Sequence, residues 1–173
     1  MRGKAELWLG LGVTAAAVLL GVSVFLPWVR LTLNAHDLPS PLSVTGGSKY
    51  VGGLDDAIDS GWVTLFCAVA AGALAVIGGI RRNGRLVGAA VAPAAVALVA
   101  LVAVPFEFGS VKTSVLSRRA PVAELPPVLA NIVKRAIDAS LDVGWYLALL
   151  MALMIAGLGV AALVTPSRPY RQP

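Results

Sequence analysis

The sequence predicts an all-α integral membrane protein, a four-helix bundle with an amphipathic helix in its second extracytoplasmic loop. Four long stretches contain no Asp, Glu, Lys or Arg, and they cover residues 7–29, 61–80, 86–106 and 143–164. At about 1.5 Å per residue, each is long enough to cross a hydrocarbon core about 30 Å thick. Only 13% of the chain is charged, against about a quarter in a soluble domain, and 58% is hydrophobic.

These stretches fill most of the chain, so we expect a single membrane domain over residues 1–173, with outer loops at about 30–60 and 107–142. The first stretch follows Arg2 and Lys4, as the apolar region of a signal peptide would. It is longer than the 7–15 residues of such a region, and Trp8 and Trp28 lie near its ends like interfacial anchors. We therefore expect it to be retained as a span.

The placement of basic residues predicts that both termini are cytoplasmic. Both sides would then carry seven basic residues, but the inner ones lie close to the spans and are accompanied only by the acid Glu6. The outer ones are spread over long loops with eight acids, whereas the short turn 81–85 alone holds three arginines. Short basic segments next to spans dominate the positive-inside rule. The sequence thus predicts a multi-pass plasma-membrane protein, and its net charge of +5 indicates contact with the lipid bilayer rather than with nucleic acid.

Small residues spaced four apart predict close helix packing inside the spans. This spacing places two small side chains on one helix face and lets backbones approach. We interpret most of these pairs as contacts within the bundle; the alternative is a homo-oligomer, or a membrane-protein partner, on such a face. The pairs are Ala68 and Gly72, Ala75 and Gly79, Gly84 and Gly88, Ala152 and Ala156, and Gly157 and Ala161.

Few residues inside the spans carry chemistry. The small polar groups there are Thr14, Ser23, Thr64 and Cys67, and the last is the sole cysteine of the chain. Transporters and proton relays place ionisable residues in their spans, so this composition argues against an ion-coupled transporter. Pro93 predicts a bend in the third span, which we interpret as static, with a hinge or a pore-lining kink as the alternative.

Two elements are predicted outside the spans. Alternation of apolar and polar residues over 29–33 indicates a short extended segment, and residues 55–60 are expected to form a helical turn into the second span. From residue 126 to 142 apolar residues recur three and four apart, which predicts the amphipathic helix. This helix would lie on the outer leaflet or cap the bundle, or alternatively dock a partner subunit.

The two halves of the chain share a weak repeat. Gly61-Trp62 opens the second span and Gly144-Trp145 opens the fourth, preceded by Asp59 and Asp142 respectively. Two explanations are open, a duplication in parallel topology and two independent aromatic anchors, and the second is favoured.

The outer loops hold the candidate site residues, although we predict no catalytic, cofactor-binding or metal-binding residue. A divalent cation needs several oxygen ligands brought together, and solvated loop residues are the favoured interpretation of this group. Glu107, between two phenylalanines at the membrane boundary, is interpreted as an interfacial anchor rather than a catalytic acid. The residues considered for the cation are His36, Asp37, Asp55, Asp56 and Asp59.

The exit of the first span reads Phe25-Leu26-Pro27-Trp28-Val29, followed later by the arginine-rich turn and further spans rich in Ala, Val and Gly. This layout resembles small four-span membrane proteins of high-GC actinobacteria, among them the tryptophan-operon-associated transmembrane family. The resemblance implies a plasma-membrane address and carries no activity, cofactor or site residue with it.

Two function classes follow from the sequence. The first is a non-enzymatic protein that supports, scaffolds or regulates a larger cell-envelope membrane complex. The alternative is a handler of small molecules, lipids or ions, with its site at the extracytoplasmic face.

Overall fold

The computed structural model describes residues 2–33, 48–55, 58–81, 83–117 and 135–164. The helices are α1 (Arg2–Ser23), α2 (Asp59–Ile80), α3 (Gly84–Gly88), α4 (Val91–Ala103), α5 (Phe108–Ser117) and α6 (Val143–Val164), and a 3₁₀ turn covers Val104–Glu107. The strands are β1 (Pro27–Leu33), β2 (Ser48–Gly52) and β3 (Ile137–Leu141).

Four long helical segments form the helical body, which we define as α1, α2, α3–α4 and α6. Helix α1 packs against α2 and α6, and α4 packs against the same two helices. Asp59–Ile80, Gly84–Glu107 and Val143–Val164 are each long and apolar enough to cross a membrane, and Leu7–Ser23 is a shorter apolar helix. The prediction of apolar helices long enough to cross a membrane is confirmed for these three segments.

The first helix ends six residues earlier than the predicted boundary at residue 29. It stops at Ser23, and after a turn the chain enters β1 at Pro27. Proline has no N–H to continue the helical ladder and its ring clashes with the preceding turn, so a helix ends before it. The predicted extended segment at 29–33 is confirmed as part of β1.

The third helical segment is interrupted on both sides of α4. Residues 89–90 form a turn between α3 and α4, since Pro93 has no N–H to donate to the carbonyl oxygen of Ala89, which accepts from Ala92 instead. The interruption agrees with the bend predicted at Pro93. At the other end Pro105 lies within the 3₁₀ turn, and α5 then continues into the region predicted as a loop.

A three-stranded antiparallel sheet, the cap sheet, contradicts the all-α prediction. Its strand order is β2-β1-β3, with Val29 opposite both Val51 and Leu141. Strand β1 follows α1, β2 precedes α2 and β3 precedes α6, so the sheet lies where those three helices end or begin. We call this the cap end of the helical body, and the opposite end, at residues 81–83, the turn end.

The predicted amphipathic helix over 126–142 is wrong for its last part, because Ile137–Leu141 is β3. Ile137 is buried and Asp138 and Ser140 are exposed, so this segment follows the two-residue period of a strand. Its apolar residues fit both periods over so short a distance, and pairing along β1 decides for the strand. Residues 126–134 of the predicted helix lie outside the described residues.

Glycine and alanine mediate the contacts between helices, as the small-residue spacing predicts. A Cβ built on Gly10 of α1 would lie 3.3 Å from the Cα of Gly79 in α2, and one on Gly72 would lie 3.5 Å from the Cβ of Ala17. A Cβ on Gly159 of α6 would meet the side chain of Val91 at 2.6 Å. Gly157, by contrast, faces open space.

Candidate functional site at the cap end

Trp28 is the centre of the cap end. Its side chain is fully buried beneath the cap sheet. Cβ atoms built on Gly53 and Gly144 would lie 2.7 and 2.8 Å from its indole ring, so only glycine leaves room for the ring at these two positions. The indole Nε1 donates to the carbonyl oxygen of Ser23 at 2.8 Å. Trp28 thus connects the end of α1, the segment after β2 and the start of α6.

Trp145 makes the same kind of bond between α6 and α4. Its Nε1 donates to the carbonyl oxygen of Leu101 in α4 at 2.9 Å, and both partners are buried. The side chain is 9% exposed, whereas that of Trp62 is 47% exposed. The two tryptophans of the predicted repeat therefore differ: Trp62 lies at the surface as an anchor would, and Trp145 joins α6 to α4.

Proline explains why these two carbonyl groups are available. In an α-helix a carbonyl oxygen accepts from the N–H four residues later, and four residues after Ser23 and Leu101 stand Pro27 and Pro105. Each oxygen accepts instead from the N–H three residues later, as in a 3₁₀ turn. The donor is Leu26 N–H at 3.2 Å in one case and Val104 N–H in the other. The tryptophan indole adds the second hydrogen bond, which matters where no water reaches.

The glycines of the repeat have a shared role even though the tryptophans do not. A Cβ on Gly61 would overlap the carbonyl oxygen of Gly53, and one on Gly144 would lie 2.7 Å from the carbonyl oxygen of Pro27. Both glycines let the first turn of a helix approach backbone of the cap region. This packing requirement accounts for the repeated glycine without a duplication.

The polar face of the cap sheet carries a cluster of three side chains. The Arg30 Nη2 donates to the Tyr50 hydroxyl at 2.8 Å, and its Cζ lies 5.0 Å from the centroid of the Tyr50 ring. The Nε of the same arginine is 3.6 Å from Oδ2 of Asp142. Asp142 Oδ1 accepts from the N–H of Val143, so the cluster is attached to the first turn of α6. Arg30 and Tyr50 are exposed.

Glu107 forms a separate polar contact between helices. The hydroxyl of Ser60, buried in the first turn of α2, donates to Glu107 Oε1 at 2.5 Å. Glu107 is half-buried and ends the 3₁₀ turn, so this bond connects the start of α2 to the junction of α4 and α5. Its role as an interfacial anchor stays a prediction.

The residues considered for a cation are only partly described. His36, Asp37 and Asp56 lie outside the described residues. Asp59 is exposed in the first turn of α2, where a negative charge favours the helix dipole, and the carbonyl oxygen of Asp55 accepts from Ile58 N–H at 2.8 Å. Among the residues that the structure describes, no three His, Cys, Asp or Glu side chains lie close enough to hold a metal ion.

Exposed aromatic side chains surround the cap end, one from each long helical segment. The two at the start of α2 and α6 are in the first turn, and the other two directly follow α1 and α4. Aromatic residues at this level are typical of the interface between lipid and water. These side chains are Phe25, Trp62, Phe106 and Tyr146.

Sequence reasoning missed the Arg30 cluster and the role of Trp145. Nothing in the sequence pairs Arg30 with residues 20 and 112 positions away. The tryptophan bonds left a clearer signal, since a proline four residues after a buried helical carbonyl predicts an oxygen in need of a donor. Comparison with protein families, with curated proteins and with solved structures gives no match for this chain.

Proposed function

We propose that this chain is a four-span plasma-membrane protein of the actinobacterial four-span type, with both termini in the cytoplasm and the cap sheet outside. The support is that α1 packs into the same helical body as the three longer helices and ends at the same ring of exposed aromatic residues. The arginine-rich turn at the opposite end agrees with this orientation.

The orientation is tested by cysteine labelling in intact cells, in a Cys67→Ser background that removes the sole thiol. Ser48→Cys lies on the exposed part of β2, and Asn83→Cys lies exposed in the turn. A membrane-impermeant maleimide is expected to label Ser48→Cys in intact cells and Asn83→Cys only after lysis. The reverse pattern would overturn the orientation.

Within the membrane, the protein acts as a non-enzymatic accessory or scaffold component of a cell-envelope complex. The observation that carries this proposal is the contrast between the helical body and the cap sheet. The hydroxyls of Thr14, Ser23 and Thr64 each donate to a carbonyl oxygen of their own helix, at 2.6 to 2.8 Å. Buried alanines such as Ala71 and Ala97 fill the space between helices. The exposed Arg30–Tyr50 pair, by contrast, is held in a fixed position on a sheet, which suits recognition.

Site-specific photo-crosslinking in native membranes tests this scaffold role. A photoreactive phenylalanine analogue replaces Tyr50 on the cap sheet or, as the matched control, the exposed Phe66 in the middle of α2. We expect a discrete protein adduct from position 50 that Arg30→Gln weakens, and lipid adducts from position 66. Absence of a protein adduct at position 50, at native expression, would contradict a complex component.

The alternative, a handler of small molecules, lipids or ions, is favoured by the Ser60–Glu107 bond. A half-buried carboxylate between two helices at the outer face can exchange its hydroxyl donor for a donor group of a ligand. Glu107→Gln would then abolish function while Asp138→Asn, which removes an exposed carboxylate on β3, would leave it intact. Under the scaffold proposal neither substitution abolishes function.

A further inference from the structure

The turn end of the helical body presents two exposed arginines. Arg81 directly follows α2 and Arg85 lies in α3, and both side chains are exposed. The N–H of Arg85 donates to the side-chain Oδ1 of Asn83 at 3.1 Å, and the N–H of Asn83 donates to the carbonyl oxygen of Gly78 at 2.9 Å. These bonds attach Asn83 to the last turn of α2 and to the first turn of α3.

The end of α2, the start of α3 and the last turn of α6 lie together beside this turn. Gly84 lies close to the last turn of α6, because its Cβ would be 3.4 Å from the carbonyl oxygen of Ala162. Helix α1 begins at Arg2, and Gly10 lies against Gly79, so α1 extends about 12 Å beyond that contact at 1.5 Å per residue. The arginines therefore stand where a membrane-crossing helical body emerges from lipid.

The carboxylates that the structure describes are concentrated at one end of the helical body. The carboxylates whose side chains the structure describes all lie at the cap end: Asp55, Asp59, Glu107, Asp138 and Asp142. In the described part of the chain, neither Arg81 nor Arg85 forms an ion pair, whereas Arg30 at the cap end does. Two exposed cations thus lie together at the turn end.

We infer that Arg81 and Arg85 bind the phosphate of an anionic phospholipid in the leaflet next to the turn end. Its charge complements that of the headgroup, and guanidinium groups form forked hydrogen bonds to phosphate oxygens. The exposed Ile80 beside Arg81 and the exposed Trp8 at the start of α1 supply apolar surface for the acyl chains. The inference is separate from the scaffold proposal, which concerns the cap sheet.

The test measures binding of phosphatidylglycerol to protein purified in a neutral detergent, by native mass spectrometry over a lipid titration. Arg81→Gln/Arg85→Gln is compared with Lys49→Gln/Arg135→Gln, which removes two exposed charges at the cap end. Each arginine near an anionic headgroup changes affinity about fivefold, so the turn variant is expected to bind about 30-fold more weakly. The cap variant is expected to bind phosphatidylglycerol like the unmodified protein. Phosphatidylcholine is expected to bind the two variants equally.

A second measurement locates the lipid. In a Trp62→Phe background, phosphatidylglycerol with brominated acyl chains is expected to quench the fluorescence of Trp8, and the turn variant is expected to lose this quenching. Equal weakening in both double variants, or no weakening in the turn variant with unchanged thermal unfolding, would overturn the inference. Displacement of the lipid by an equal concentration of inorganic phosphate would also overturn it, since the site would then be for free phosphate.

Discussion

Single glycines at the cap end allow backbone to contact backbone. The cost of replacing each one depends on which atoms face it. Gly61 lies against the carbonyl group of Gly53, and Gly144 lies against that of Pro27 and the ring of Trp28. Neither neighbour is the flexible end of a side chain, so an added methyl group cannot be accommodated by a rotamer change. Gly157 in α6 faces open space and carries no such constraint.

We expect Gly61→Ala to destabilise the protein by about 3 kcal/mol, because the methyl group overlaps backbone that belongs to the segment after β2. Gly157→Ala is the matched control and is expected to be neutral or to stabilise by up to about 1 kcal/mol, through helix propensity. Denaturant unfolding in detergent measures both. A Gly61→Ala protein as stable as the control would show that the close approach of Gly61 and Gly53 is wrong.

The bond from Trp145 to Leu101 is the second residue-scale prediction. Trp145→Phe removes the Nε1 donor while keeping an aromatic ring in a buried position, and we expect a loss of about 1 kcal/mol in unfolding free energy. Trp62→Phe, at an exposed position that donates no described hydrogen bond, is expected to cost less than about 0.5 kcal/mol. Equal costs for the two substitutions would remove the case for a specific bond.

At the scale of elements, prolines end two of the helices, and tryptophans donate to the carbonyl oxygens four residues before those prolines. Pro27 ends α1, and Pro105 turns the end of α4 into a 3₁₀ turn before α5 continues the segment. At the end of α1 a carbonyl oxygen accepts a hydrogen bond from the indole of Trp28, and at the end of α4 one accepts from the indole of Trp145. The cap sheet is therefore tied to helix ends that the sequence itself creates.

This pairing of proline and tryptophan predicts a coupling between Pro105 and Trp145. Pro105→Ala restores an N–H four residues after Leu101, so the carbonyl oxygen regains the normal helical donor. We expect Trp145→Phe to cost about 0.5 kcal/mol less in the Pro105→Ala background than alone, measured as a double-mutant cycle of unfolding free energies. Additive effects would show that the indole does not compensate for the proline.

The elements that the sequence predicted well are those with one dominant signal. Apolar length placed α6 at 143–164 and α2 within two residues of its start. Apolar character did not distinguish helix from strand at Pro27–Val29 or at Ile137–Leu141, where pairing between distant segments decides. Neither β2 nor the Arg30–Tyr50–Asp142 cluster was predictable, because both depend on contacts between residues far apart in sequence.

At the scale of the whole molecule, the cap sheet connects the end of α1 to the starts of α2 and α6. Strand β1 continues from α1, and β3 leads into α6, so their register fixes α1 relative to α6. Arg30 lies opposite Ser140 and Thr32 lies opposite Asp138, so these polar residues occupy neighbouring pairs of the same register.

The register of β1 and β3 gives the molecule-wide prediction. Thr32 lies opposite Asp138, so Thr32→Cys/Asp138→Cys in the Cys67→Ser background is expected to form a disulfide on mild oxidation, seen as faster migration on non-reducing gels. Thr32→Cys/Ser140→Cys is the matched control, offset by two residues along β3, and is expected to cross-link poorly. The first disulfide would close a loop of more than 100 residues and raise the unfolding free energy by up to about 4 kcal/mol. A disulfide that forms only in the offset pair would mean that β3 is shifted against β1, and that α1 and α6 are joined in a different register.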